Sequence, residues 1–524
     1  MPEAPRALPS AAVRAPRTRV GLSCALAAAA GAVSVLGYAP FGLPALPIIA
    51  LSVLFALWHR AIDPRLAAAI GYAFGLGVFG AGVSWVFIAL SGFGEMPPIL
   101  AGLATVGFVA YLAVWPALAG WVGARITAPQ TLLRLIACAG AWTLAEWLRG
   151  YVFTGMPWLS LGYSQLPGSP LAGYAPVGGV FMVSLTGALI AACVAWAIEG
   201  ITLGRGRAAV VAAVVVAIIA AGGYLLRHVE WTQPAGKPLS VSLLQGNVSQ
   251  DVKFDRAFRE KTFELYQGLA AQSRGQLVVL PESAFPMFAD QVPMAVVVDL
   301  AQQGARRNGL VLLGLFTAEP PSPGSRDPRY YNTVAALGGE TVPLYRKRHL
   351  VPFGESIPLK GLIGPIMNAV LEIPLADQTA GPADQPAFEV AGHRIAVNIC
   401  YEDAFGSELI DAARNADILV NVTNDAWYGR SVAAWQHNQI AAMRALELGR
   451  PMLRATNTGI TSAIDARGQE YAQLPWFTRG TLELEVQGHT GLTPYARAGD
   501  VPALVVSGVL VAGAGLRTRR SRRA

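Results

Sequence analysis

Three short segments end in residues that together can carry out nucleophilic acyl chemistry. "VVLPESAF" (278–285) holds Glu282, "PLYRKRHLVPFGE" (343–355) holds Lys347 with Glu355 eight residues on, and "AVNICYEDAF" (396–405) holds Cys400. Each reactive residue follows a short apolar run of the kind that makes a buried strand, so a carboxylate, an ammonium and a thiol stand at strand ends. A thiol has a pKa of about 8.5 and attacks only after losing its proton. A carboxylate can take that proton, and a fixed ammonium can steady both the thiolate and a tetrahedral oxyanion. Taken singly, each residue has a plainer reading: a small core hydrophobe, a solvated loop acid and a basic surface turn. Spacing alone does not join residues spread over more than a hundred positions.

The elements that must position them are unusual in composition. The chain has 524 residues, is 53% hydrophobic and only 14% charged, and has a mean hydropathy of +0.43. A soluble chain carries roughly 25% charged residues, so much of this one must lie in lipid. A spanning helix needs about 20 apolar residues. Seven candidates precede the mixed-composition part, at about 20–38, 44–59, 66–90, 97–123, 131–152, 170–198 and 208–226, and an eighth follows at about 499–516. The first could pass for a cleaved signal peptide, but the spans behind it favour an ordinary first helix.

Positive charge orients the array. Arg6, Arg14, Arg17 and Arg19 precede the first helix; Arg60 and Arg65, Arg125 and Arg134, and Arg205 and Arg207 mark every second connection, and "RTRRSRRA" follows the last span. The alternate connections at 39–43, 91–96 and 153–169 hold no Lys or Arg. The expected map is a cytoplasmic segment 1–19, seven helices within 20–226, an extracytoplasmic domain 227–498, an eighth helix 499–516 and a basic cytoplasmic tail 517–524. The tail reads as a topology signal rather than a nucleic-acid patch. Cys24, Cys138 and Cys193 fall in spans, leaving Cys400 as the one extracytoplasmic thiol and no disulfide framework there.

Within 227–498, strand-like runs at 239–246, 276–283, 309–316, 393–402, 416–425 and 459–468 alternate with helix-like stretches at 255–274, 292–308 and 433–449. That alternation implies a layered α/β domain. Pro- and Gly-rich text at 319–328 and 354–365 marks loops, the second apolar enough for a membrane-facing lid. His349 and His437 are not spaced as metal ligands; no metal site and no cofactor is expected.

With their flanks, the three segments resemble the Glu–Lys–Cys signatures of the nitrilase (carbon–nitrogen hydrolase) superfamily. Together with "EWLRGYVFTGMPWLSLGYSQ" (146–165), "LLQGNVSQDVKFD" (243–255), "VNVTNDAWYG" (420–429) and "QHNQIAAMRALELGRPMLRATNTGITSAID" (436–465), they resemble the apolipoprotein N-acyltransferase family along almost the whole chain. The resemblance implies a polytopic helical membrane domain plus a periplasmic nitrilase-like αββα sandwich, in the bacterial inner membrane. It implies that Cys400 takes an acyl group from a membrane phospholipid, with Glu282 as base and Lys347 on the oxyanion. The resulting thioester then acylates the N-terminal amine of a diacylglyceryl-modified apolipoprotein. Glu355, Tyr401 and Glu402 match supporting positions of the family. Phe254 stands where its pattern leads one to expect Trp, keeping an aromatic but losing an indole N–H. Phe254, Trp427, Trp158, Glu146 and Arg149 are candidate lipid or substrate contacts, the last two spaced to pair or to bind headgroups. A monomer is expected. The rivals are a membrane-anchored amidase with the same triad, and a transporter whose soluble part is a structural cap; few charges in the spans and no inverted repeat disfavour the second.

Overall fold

The computed structural model describes residues 17–253, 255–321, 328–356 and 377–523. Helices occupy all eight apolar stretches: Arg17–Ser34, Ala45–Arg60, Pro64–Gly82, Pro98–Ile126, Leu132–Arg149, Ala175–Thr202, Gly206–Leu226 and Val501–Arg523. Six are long and apolar enough to cross a membrane, whereas Ala45–Arg60 is shorter and Leu132–Arg149 carries Arg134, Glu146 and Arg149. The third span is shorter than its expected range of 66–90. Its helix stops at Gly82, and a short helix Val86–Ile88 and a π-turn Ala89–Phe93 follow. The glycines of "FGAG" weaken the helix there, and Trp85 folds back to donate to the Gly82 carbonyl at 3.1 Å.

Small residues set how closely these helices approach. A Cβ at Gly77 would run into the Ala28 carbonyl, one at Gly71 into the Pro116 carbonyl, and one at Gly75 would lie 2.7 Å from the Ala113 Cα. Pro64–Gly82 is therefore in backbone contact with Arg17–Ser34 on one side and Pro98–Ile126 on the other, the packing that lipid-embedded helices favour. The basic connections gather at one end of the bundle. There Arg134 donates to the carbonyls of Trp58 and Ala61, and His59 meets Glu199 at 2.5 Å. The connections without Lys or Arg gather at the other end, against the α/β domain: Ala39 N donates to Gln439 Oε1 at 3.1 Å and Tyr163 Oη to the Ala404 carbonyl at 3.4 Å.

Among the described residues the α/β domain has twelve strands: β1 Gln233–Gln245, β2 Leu277–Val279, β3 Leu310–Glu319, β4 Arg329–Leu337, β5 Leu344–Arg346, β6 Phe388–Val390, β7 His393–Ile399, β8 Ile418–Thr423, β9 Met452–Thr456, β10 Ser462–Ile464, β11 Glu470–Gln473 and β12 Gly480–Thr490. They form two six-stranded sheets, ordered β12-β1-β2-β3-β4-β5 and β11-β10-β9-β8-β7-β6. Each has a parallel core, β1–β2–β3 and β7–β8–β9, with antiparallel strands outside it. Alternation along the strands makes the layers. Val241, Leu277, Val279 and Leu312 face Ile395, Val397, Ile399 and Val420 between the sheets. Val278, Val311 and Leu313 turn instead to Phe263, Tyr266 and Leu300, and Ala396 and Leu419 to Ala441, Ala445 and Leu448. The result is the expected αββα sandwich. The strand expected at 459–468 shrinks to β10, because turns at either end take up its polar residues. Most of the expected 354–365 lid lies outside the described residues.

Helix Ala175–Thr202 is broken at Gly178–Gly179, where Gly179 has φ +72° and an added Cβ would meet the Tyr495 ring. Only glycine fits both the conformation and the space. The break frees the N–H of Val180, which donates to Glu447 Oε1 of the α/β domain.

If backbone contact at Gly77 holds the helices together, Gly77→Leu should lower the thermal midpoint in detergent, at a cost of roughly 1–3 kcal/mol. Gly80→Leu, with nothing within 4 Å of an added Cβ, should leave it nearly unchanged. Equal melting of the two variants would contradict the packing.

Candidate active site

Glu282, Lys347 and Cys400 follow β2, β5 and β7, and the sandwich brings all three into one buried centre, each less than 10% exposed. Glu282 is held through both carboxylate oxygens. Oε1 accepts from Asn332 Nδ2 at 2.8 Å and from Lys347 Nζ at 3.4 Å, and Oε2 accepts from the Asn424 N–H at 2.9 Å. Asn332 pairs along the ladder beside Lys347, whose N–H donates to the Asn332 carbonyl at 2.8 Å. One stretch of β4–β5 thus positions both the carboxylate and the ammonium.

Lys347 Nζ lies 2.7 Å from Glu355 Oε1. Burial works against its charge, but Glu355 and then Glu282 outweigh burial and raise its pKa above the ordinary lysine value. Lys347 is therefore a permanent cation. Cys400 shows the opposite balance: burial, and next the charge of Glu282, push its thiol well above the usual range, while Lys347 pulls the other way. At rest the thiol is protonated.

Two left-handed residues shape the centre. Ser283, just after Glu282, has φ 47°, and Cys400 itself has φ 55°. Such conformations strain non-glycine residues and persist where surrounding contacts fix them. The Cys400 carbonyl accepts from Asn421 Nδ2 at 3.0 Å and lies 3.3 Å from His437 Nε2. The Glu282 carbonyl accepts from Lys253 Nζ at 3.2 Å. The turn that follows Cys400 is pinned by Glu402. Its carboxylate accepts from the N–H groups of Ile399 (2.6 Å), Arg348 (2.6 Å) and His349 (3.1 Å) and from Tyr345 Oη (2.9 Å).

The other sequence-named residues are placed as follows. Tyr401 donates to the Gly155 carbonyl at 2.9 Å and stacks on Trp158. Trp158 is enclosed, only 1% exposed, and donates to Gln436 Oε1 at 2.7 Å, so it bridges the domains and does not face lipid. Glu146 and Arg149 are buried and, among the described residues, make no ion pair with each other, contrary to their spacing. The polar backbone of the segment behind them competes better: Glu146 accepts from the Leu161 N–H at 2.8 Å, and Arg149 donates to the carbonyls of Met156 and Trp158 at 2.5 Å. Trp427 is half-buried beside Phe93. Phe254 lies outside the described residues.

Sequence reasoning missed Lys253, Asn332, Asn421 and Asn424, and it missed a buried charged cluster below Cys400. His437 lies 2.9 Å from both Asp403 Oδ1 and Asp425 Oδ1, and Arg454 Nη1 lies 2.6 Å from Asp403 Oδ2. Burial opposes the His437 charge, yet Asp403 and Asp425 prevail and raise its pKa to about 9.

The sandwich and its three converging groups define a carbon–nitrogen hydrolase domain carried on membrane helices. Residues 229–495 match the carbon–nitrogen hydrolase family, and residues 30–193 match the apolipoprotein N-acyltransferase N-terminal domain. An apolipoprotein N-acyltransferase of Nitrosomonas europaea is 44% identical over 94% of this chain and 97% of its own length. Relatives of the same name are 40% identical in Chromobacterium violaceum (96% of this chain, 95% of theirs) and 42% in Methylococcus capsulatus (95% and 96%). The chain belongs to the apolipoprotein N-acyltransferase family. It is a multi-pass bacterial membrane acyltransferase.

The His437 cluster makes a pH prediction. The folded pKa of about 9 stands above an unfolded value of about 6.5. Its stabilisation is therefore complete below the unfolded value and is lost as pH rises through the folded one. The gap in thermal midpoint between the native protein and His437→Asn should narrow from pH 7 to pH 10. A constant gap would mean that His437 stays neutral.

Proposed function

We propose that this chain moves an acyl group from a membrane phospholipid to the N-terminal α-amine of a diacylglyceryl-modified apolipoprotein, through a thioester on Cys400. The observation that carries the reading is the buried convergence of Glu282 and Lys347 on the Cys400 thiol, at the end of the domain that meets the membrane helices. Family membership supports the acceptor, and a diacylated protein and a phospholipid both reside in the bilayer where the helices lie.

Because the resting thiol is protonated, Glu282 removes the proton as sulfur attacks the ester carbonyl. The ester oxygen becomes an oxyanion facing Lys347, which Glu355 keeps charged even while Glu282 holds the proton. Collapse of the adduct expels a lysophospholipid alkoxide, which takes the proton from Glu282. The acceptor amine then attacks the thioester, an amide forms and the thiol is regenerated. Glu355 orients Lys347, Glu402 and Tyr401 hold the Cys400 turn, and Phe254 and Trp427 contact acyl chains. The protein works as a monomer in the inner membrane, with residues 227–498 in the periplasm and both termini in the cytoplasm, in keeping with its alternating basic connections.

Enzyme held with phospholipid and no acceptor should gain the mass of one fatty acyl group on the Cys400 peptide, labile to neutral hydroxylamine. Cys400→Ala should never gain it, and Glu282→Gln should gain it slowly or not at all. Lys347→Arg should lower acylation by roughly 10²-fold, the scale of losing one oxyanion donor. An adduct that persists in Cys400→Ala removes the thiol from the mechanism, and discharge to water rather than to a diacylated lipopeptide points to an amidase. For topology, a cysteine replacing exposed Arg467 should react with an impermeant thiol reagent in spheroplasts, and one replacing Ser521 should not. The reverse pattern would invert the orientation.

A further inference from the structure

The centre contains a second lysine that the steps above leave idle. Lys253 ends a one-turn helix, Gln250–Lys253, and is only 5% exposed. Among the described residues its Nζ makes one hydrogen bond, to the Glu282 carbonyl at 3.2 Å, and no carboxylate lies within ion-pair distance. The turn is itself fastened to the centre: Gln250 Oε1 accepts from Asn424 Nδ2 at 2.9 Å, and the Asn424 N–H donates to Glu282 Oε2. Lysines are almost never buried unless paired, and a buried ammonium with one neutral acceptor is costly. Lys347, by contrast, sits 2.7 Å from Glu355. The two amines flank Glu282 in opposite states of compensation.

The second half-reaction needs what Lys253 can offer. An α-amine has a pKa of about 8 and reaches the site largely as an ammonium, which has no lone pair to attack with. The attacking nitrogen sheds two protons in all. Glu282 can relay one of them to the departing sulfur, reversing its first role, but the earlier one needs a separate acceptor. We propose that Lys253 is the catalytic base that takes the first proton from the acceptor's α-ammonium. This inference rests on the thioester reading above. The neutral Nζ takes one N–H proton, and the nitrogen lone pair attacks the thioester carbonyl. The C–S bond breaks with its electron pair going to Sγ, the second N–H proton passes through Glu282 to Sγ, and Lys253 returns its proton to water.

The electrostatics agree. Burial lowers the pKa of Lys253 to about 8, against the opposing fields of Glu282 and Cys400, the titratable groups that bear on it. An amine with that value is neutral for a useful fraction of the time near neutral pH and matches the α-ammonium it would deprotonate.

The two half-reactions can be timed separately on the full-length enzyme in detergent. Lys253→Met and Lys253→Arg should form the acyl-enzyme within a fewfold of the native rate. Each should discharge it to a diacylated lipopeptide about a hundredfold more slowly at pH 7, the arginine variant keeping a donor for the Glu282 carbonyl but unable to accept a proton. Hydroxylamine, which is already neutral at pH 7, should discharge both variants at the native rate, and the lipopeptide defect should shrink as pH rises past 8. Equal loss with hydroxylamine, or loss of acylation in Lys253→Arg, would make Lys253 a clamp on the Glu282 turn and overturn the inference. No adduct in the native enzyme would overturn the thioester reading itself, and this inference with it.

Discussion

One buried carboxylate keeps the two halves of the reactive centre in register. Cys400 rides on β7 of one sheet and Lys347 on the end of β5 of the other. The sheets meet through aliphatic side chains, whose attraction is strong but non-directional, and such contacts do not fix a thiol against an ammonium. Glu402 supplies the missing direction. It accepts from Ile399 on the cysteine side and from Tyr345, Arg348 and His349 on the lysine side. Burial pushes its pKa up from the ordinary carboxylate value, and the N–H groups of Ile399 and Arg348 work against that shift. The geometry of the centre rests on this junction.

A second set of contacts ties the same turn to the membrane helices. Tyr401 and Ala404, in the turn after Cys400, bond to Gly155 and Tyr163, and Gln436 accepts from both Trp158 and Trp85. The short helix and π-turn after Gly82 belong to this contact. The turn between Gly82 and that short helix sets Trp85 against Gln436 and Tyr428 of the α/β domain. The nucleophile is therefore positioned jointly by the sandwich and by segments that lie between membrane helices.

The layout of the chain was legible because apolar length and strand alternation are local signals. The eight helical stretches, the layered sandwich and the three strand ends with their reactive residues all follow from runs of a few to twenty residues. What escaped was set by tertiary competition. "VSWVFIAL" is as apolar as a span, and only its packing against residues 428 and 436 shows that it turns back. Glu146 and Arg149 stand three apart on a helix, but a neighbouring segment offers Leu161, Met156 and Trp158 as better partners. Lys253 sits in the polar text "SQDVKFD", where no local apolar pattern signals its burial; the contacts that enclose it come from Glu282 and, through Gln250, from Asn424. The charged cluster below Cys400 draws Asp403, Asp425, His437 and Arg454 from four separate elements, and no local pattern joins them. Strand β12 alternates, but half-exposed and at a sheet edge, so its signal is faint.

The break in helix Ala175–Thr202 has a consequence for biogenesis. Val180 and the Glu447 carboxylate that receives its N–H lie 267 residues apart in the chain. During synthesis the broken helix reaches the bilayer long before its partner exists. An unsatisfied backbone donor within lipid costs several kcal/mol, so the nascent helix must meanwhile use water, lipid headgroups or a different local winding. The membrane half becomes complete only when the α/β domain has folded and docked. Assembly is therefore ordered, and the last long membrane helix, Val501–Arg523, is made after the group that completes an earlier one.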